Sequence, residues 1–206
     1  IGLKLPEVLT VEEIDRIIAT VDRSKAEGQR NRAILETLYS CGLRVSELVN
    51  LKLSDLYFDE GFIKVEGKGN KQRLVPISPK AINEIKLYFT DRNQIEVKSG
   101  HEDFVFISLR RGKRLSRIMI FHMIKELAQQ AGITKNISPH TFRHSFATHL
   151  LEGGANLRAI QCMLGHESIA TTEIYTHIDR NVLRSEIIEH HPRNIKYRKE
   201  KESLFH

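Results

Sequence analysis

Residues 138–177 read SPHTFRHSFATHLLEGGANLRAIQCMLGHESIATTEIYTH, and the rest of the chain is organised around them. Ser138-Pro139 pairs a capping hydroxyl with a first-turn proline, so a helix is predicted over 139–152, ended by Gly153-Gly154. Asn156 caps a second helix that Gly165 stops. Phe142, Phe146, Leu150 and Leu151 recur at helical spacing and read as core. Residues three apart share a helix face, so His140 and Arg143 project together from the start of the first helix. A helix start also offers free amide donors and the positive end of a dipole. Local physics therefore favours a phosphate near His140 and Arg143, whatever molecule carries it. His166 and Tyr175 add an imidazole and a phenol to the same stretch.

Downstream, residues 170–177 and 179–189 read as two short helices, the second with Val182, Leu183, Ile187 and Ile188 on an apolar face. Residues 190–206 carry charge without periodicity and read as a flexible basic tail, apart from Leu204-Phe205. Upstream, a helix is predicted over 117–131, closed by Gly132 and preceded by the basic, Gly-broken loop RRGKRLSR. FVFIS before it is a strand or a core segment. Ser78-Pro79 caps a helix over roughly 80–96. FIKVEG and QRLVPI alternate around KGNK as a hairpin with Lys68 and Lys71 at its tip. Two strands alone are marginal in water, so Leu51–Leu53 is a candidate third. Thr10 and Glu13 make a capping box for a helix over 11–22. RAILETLYSCGL is a helix with Gly42 at its C-cap, and Arg44 follows in a tight corner before the short helix VSELVNL. The fold class is mainly α with a small antiparallel sheet, in one domain.

The chain has 206 residues and a net charge of +6. That leans towards a polyanionic partner, though a plain basic soluble protein shows the same excess. Cys41 and Cys162 lie in apolar helical contexts and read as buried thiols. No apolar run approaches the ~18 residues of a membrane span and no signal peptide is visible, so a cytoplasmic location is expected. The chain starts at Ile1 with no Met, which reads as a fragment or a trimmed form.

Two bland readings compete for the site residues. His140 and His144 have the i, i+4 spacing of a helical zinc pair, but HTFRH has Thr141 where the zinc-protease motif needs a glutamate base, and Arg143 would sit beside the metal. A lone His or Tyr on a helix is more often a packing residue; His144, Tyr39, Tyr88 and Tyr197 are read so, and His149 as core or as support of the site. The case for chemistry rests on joint occurrence. Arg44 stands in SCGLRVSELVNLKLSDL, Lys68 in GKGNKQRLVPIS, His140 and Arg143 in SPHTFRHSFATHLLEGG, and His166 and Tyr175 in MLGHESIATTEIYTH. From about Leu5 to Glu189 the chain resembles the catalytic domain of the tyrosine recombinase (phage-integrase-like) family, its Xer-type bacterial members above all.

The resemblance implies a site-specific recombinase that breaks and rejoins double-stranded DNA through a covalent 3′-phosphotyrosyl link. It implies Tyr175 as nucleophile and Arg44 and Arg143 forked onto the phosphate oxygens. It further implies His166 as a donor to that phosphate, Lys68 as general acid to the departing 5′ oxygen, and His140 as base or proton shuttle. Such forks suit guanidinium better than ammonium, and a phenol with a pKa near ~10 needs the surrounding cations. No metal, ATP or other cofactor is implied, and GKGNK is not a phosphate-binding loop of the P-loop type. Glu47 either orients Arg44 or His140 or is a solvated helix charge. Lys71 and Arg73 touch backbone phosphates or solvent. Arg110, Arg111, Lys113, Arg114 and Arg117 make a DNA-facing loop or a solvated surface. Residues 1–189 are then the catalytic domain, and the family's N-terminal DNA-clamping domain is absent from this chain. The family works as four protomers on two DNA sites. The segment after Asp179 either docks on a neighbour, as in the family, or packs on its own domain. The isolated chain is expected to be a monomer. A second recombinase or an activator protein is a further expected partner, and a membrane is not. The role implied is chromosome or plasmid dimer resolution, in cell division and chromosome partition. The alternatives are an integrase of a mobile element and a DNA-binding module without chemistry.

Overall fold

A computed structural model of the chain describes residues 7–165 and 180–204. His166, Tyr175 and the helix expected over 170–177 lie outside the described residues. The centre of the molecule is α2 (Gly28–Cys41), in which every residue from Ala33 to Cys41 is buried. It packs on α4 (Pro79–Arg92) and α6 (Thr141–Glu152). α2 ends at Gly42, whose φ of 65° an L side chain rarely adopts. A Cβ there would also lie 2.3 Å from the Phe146 ring, so the residue must be glycine for α6 to approach. α1 (Val11–Thr20) starts on the expected capping box and places Ile14, Ile17 and Ile18 in the core.

The hairpin is present as β2 (Phe62–Glu66) and β3 (Gln72–Pro76), antiparallel, with Val65 opposite Arg73. A third strand supports it, but it is β1 (Leu56–Tyr57), not Leu51–Leu53. The latter segment bonds elsewhere: Val105 N donates to Leu51 O (3.0 Å) and Leu53 N to Asp103 O (2.6 Å). The FVFIS run is therefore a core segment joined by isolated bridges, with Val105, Phe106 and Ile107 fully buried. α4 stops at Arg92, short of residue 96, with Asn93 as its C-cap, and the buried Arg92 guanidinium turns to the carbonyls of Glu102, Phe104 and Val105.

α3 (Val45–Val49) and α5 (Arg117–Gln130) stand where expected. α6 begins at Thr141, and Ser138 is not its cap. Ser138 Oγ accepts from His140 N (3.1 Å) and Ser138 N donates to Thr141 Oγ1 (2.8 Å), closing a turn that leaves His140 at the N-cap position. In α7 (Leu157–Leu164) the Asn156 side chain accepts from Arg158 N and Ala159 N, as a cap should.

The basic tail is not loose. After α8 (Arg180–His190), residues Pro192–Leu204 form a helix, α9. Its first turn is tied down: Arg193 bonds Glu36 and reaches Asp15 at 3.0 Å, and His191 Nε2, just before the helix, donates to Tyr39 O at 2.9 Å, while Arg198 to Glu202 are exposed. Leu183 and Ile187 of α8 are buried against the chain's own core, whereas Val182 is exposed. Among the described residues, no helix is long and apolar enough to cross a membrane.

Candidate active site

Arg44 follows the α2 corner directly and caps α3. Its amide donates to Glu47 Oε1 (2.9 Å), and its Nη1 stands 3.4 Å from Glu47 Oε2. Arg143 approaches from the first turn of α6. Its Nη1 donates to Gly42 O (2.8 Å) and its Nη2 to Leu164 O (2.6 Å), leaving the side chain 8% exposed. The same Nη1 lies 3.9 Å from Glu47 Oε1. Two guanidinium groups that are 99 positions apart in sequence thus face one buried carboxylate. Arg73 of β3 completes the cluster, forked onto Glu47 at 2.7 and 3.0 Å, with Nε on Met163 O at 2.9 Å.

The electrostatics follow from that packing. Burial pushes the Glu47 carboxyl up, but the bonds and charge of Arg73, the Arg44 amide and the Arg143 charge together hold it below the ordinary carboxylate range. Glu47 is therefore ionised at neutral pH, and three guanidinium groups exceed it by two positive charges. Burial first, then the charge of Arg44, pulls Arg143 down to about 10, so it stays protonated at pH 7. His140 is lowered by burial, then by His144, Arg143, Arg44 and Lys68. A neutral imidazole beside surplus positive charge suits a bound anion and can accept a proton.

Arg44, Lys68, His140 and Arg117 line one cleft of about 420 Å³, with Ile118 and Phe121 as its apolar wall. Lys68 stands in the short 3-10 turn Lys68–Asn70 at the hairpin tip. Arg143 lies behind, joined to the cleft through Glu47. Gly165, the last described residue before His166, packs on Arg73: a Cβ there would be 3.2 Å from Arg73 Cδ. His166 and Tyr175 themselves lie outside the described residues.

Several expectations change. Arg73 does not face phosphate or solvent; its Nε, Nη1 and Nη2 all bond inward. The basic run does not present one surface. Arg117 joins the cleft, whereas Arg110 and Arg111 line a separate depression of about 540 Å³ beside Asp91 and Gln94. Arg114 bonds Asn50 and lies over the Phe104 ring at 5.4 Å. Lys71 and Lys113 are exposed. Glu47 is not solvated: it orients Arg44, and its partners are arginines. His149 is core, its Nδ1 2.6 Å from Tyr39 Oη. The i, i+3 spacing of Arg44 and Glu47 in one first turn was the signal for their contact. No local pattern announced that Arg73, opposite Val65, would join them.

A model of the phage integrase family matches residues 7–181. The chain belongs to the phage integrase family. This family member is similar to tyrosine recombinase XerD of Staphylococcus saprophyticus, 48% identical over 191 residues, which are 92% of this chain and 64% of that relative. It is likewise similar to tyrosine recombinase XerD of Pseudomonas putida, 43% identical over 193 residues, 94% of this chain and 64% of the relative. The chain thus spans a little under two thirds of the length of these relatives. Among solved structures, XerA recombinase superposes with a TM-score of 0.71 at 37% identity, covering 93% of this chain and 66% of that one. The XerH site-specific recombinase bound to its difH substrate, a pre-cleavage complex, gives 0.69 at 29% identity, covering 86% and 52%. The mainly helical fold with its small antiparallel sheet is that of these recombinases.

Proposed function

We propose that this phage integrase family member is the strand-cutting and rejoining part of a Xer-type site-specific tyrosine recombinase acting on double-stranded DNA. The observation that carries the reading is the convergence of Arg44 and Arg143 on Glu47 beside a cleft that also takes Lys68 and His140. A phosphodiester gathers negative charge as it is attacked, and preorganised guanidinium donors stabilise that charge. Tyr175 attacks phosphorus and forms the 3′-phosphotyrosyl bond. The bond to the 5′ oxygen breaks, and Lys68 protonates that oxygen. His140, depressed by burial and by the neighbouring cations, receives the phenol proton. His166 donates to the phosphate. Rejoining is the reverse attack by a 5′ hydroxyl, so no ATP and no metal is required. Lys71, Arg111, Lys113, Arg114 and Arg117 contribute phosphate contacts, and affinity falls with salt.

In this reading four protomers assemble on two DNA sites, with a second recombinase or an activator as a further partner. The setting is cytoplasmic chromosome or plasmid dimer resolution, linked to cell division and chromosome partition. A library of nicked duplexes, randomised around the nick, tests the chemistry. The chain should be trapped as a covalent DNA adduct that still forms in EDTA. Complete loss of the adduct on chelation would sink the proposal.

A further inference from the structure

Glu47 has three cationic side chains around it, and besides the Arg44 amide on Oε1 it is Arg73 that makes the closest charged contact to each oxygen. Its contacts are 2.7 and 3.0 Å, whereas Arg44 Nη1 stands at 3.4 Å and Arg143 Nη1 at 3.9 Å. Resting on the recombinase reading, we infer that Arg73 is a positioning residue: it occupies Glu47 so that the Arg44 guanidinium stays turned to the cleft for a substrate phosphate and Arg143 keeps its place behind it. A buried carboxylate does not stay unpaired. Without Arg73, Glu47 draws Arg44 and Arg143 onto itself, and the surplus positive charge at the cleft falls from two to one. Glu47 then competes with the substrate phosphate for the Arg44 guanidinium.

The same side chain sets the geometry around the cleft. Arg73 Nε holds Met163 O while Arg143 Nη2 holds Leu164 O, so two arginines fasten the last turn of α7 just before residue 166. A Cβ on Gly67 would lie 3.2 Å from Arg73 Nη1 and 3.4 Å from Glu47 Oε2. The glycine preceding Lys68 thus lets the hairpin turn close over the pair. Arg73 itself stands on a paired strand, a firmer base than a loop. With its side chain 14% exposed and bonded inward, it is poorly placed for DNA.

The test uses the 206-residue chain, the nicked-duplex library and the variants Arg73→Met, Arg73→Lys, Glu47→Gln and Arg73→Met/Glu47→Gln. Arg73→Met should slow single-turnover adduct formation roughly 100-fold, the scale of a misplacement of about 1 Å. The salt slope of DNA binding should not move. Arg73→Lys, which keeps charge without the fork, should recover part of the rate. The double variant should be no slower than Arg73→Met, because the carboxylate that captures Arg44 and Arg143 has gone. The inference is overturned if the salt slope falls by about 0.9, the mark of one lost phosphate contact. It is equally overturned if the two single losses multiply in the double variant, or if Arg73→Met cuts at the parental rate. Should Arg73→Met prove unfolded in a urea melt, Arg73→Lys against Arg73→Lys/Glu47→Gln decides by the same comparison. A parent chain that yields no adduct overturns the recombinase reading itself, and this inference with it.

Discussion

Replacing Arg193 by Met should destabilise the whole protein, not merely release its C-terminal helix. Glu36 is 1% exposed in the middle of α2, and Arg193 bonds it through Nε and Nη2 while Nη1 reaches Asp15 at 3.0 Å. Met fills much of the same space but leaves Glu36 buried with Arg32 as the remaining nearby cation. Breaking a buried ion pair from one side costs about 3–5 kcal/mol, a large share of the ~5–15 kcal/mol that holds a domain together. At a urea slope of about 2 kcal/mol per molar, the unfolding midpoint should fall by roughly 2 M. Glu36→Gln added to Arg193→Met removes the stranded charge, so the double variant should recover more than half of the loss. Amide exchange along Pro192–Leu204 should rise to the global unfolding rate in the single variant. A midpoint shift below about 0.5 M, or a double variant no better than the single, would refute the clamp.

Two further predictions concern titration and the fork. Burial holds the His191 imidazole at about 4 against an ordinary 6.5, so the unfolded chain takes up a proton first as the pH falls. The stability from this group is full above pH 6.5 and is lost towards pH 4, about 2 kcal/mol of it between pH 7 and pH 5. His191→Gln should flatten that part of the urea midpoint curve; an unchanged slope would contradict the assignment. Arg143→Lys replaces the planar fork, whose two Nη atoms reach the Gly42 and Leu164 carbonyls separately, by a single point charge. Adduct formation should slow roughly 10²- to 10³-fold in a gel-based rate assay, with DNA binding within a few-fold of the parent.

What sequence made legible here is what local chemistry dictates. The capping box at Thr10, the Gly42 stop and the Lys68 hairpin all stand where short-range rules put them. Leu51–Leu53 is not the third strand because its partners come from Asp103–Val105, about fifty residues away, and no periodicity within the segment reveals them. Ser-Pro is a good helix start, yet the Ser138 Oγ accepts from His140 N instead of capping α6, in a turn that leaves His140 at the N-cap position. The tail misled in the same manner. Its later charges are exposed as expected, but Arg193 and His191 answer buried groups on α2 that lie more than 150 positions earlier. At the site, residue types and order were legible for Arg44, Lys68, His140 and Arg143, whereas the inward pairing of Arg73 depends on three elements meeting.

In the proposed reaction the Tyr175 phenol becomes the covalent link to DNA. Digest the trapped adduct with protease and nuclease, and locate the residual nucleotide by mass spectrometry. A 3′-phosphonucleotide on the peptide containing Tyr175, absent from Tyr175→Phe, is the predicted result; a nucleotide on any other side chain, or an adduct that survives Tyr175→Phe, contradicts it.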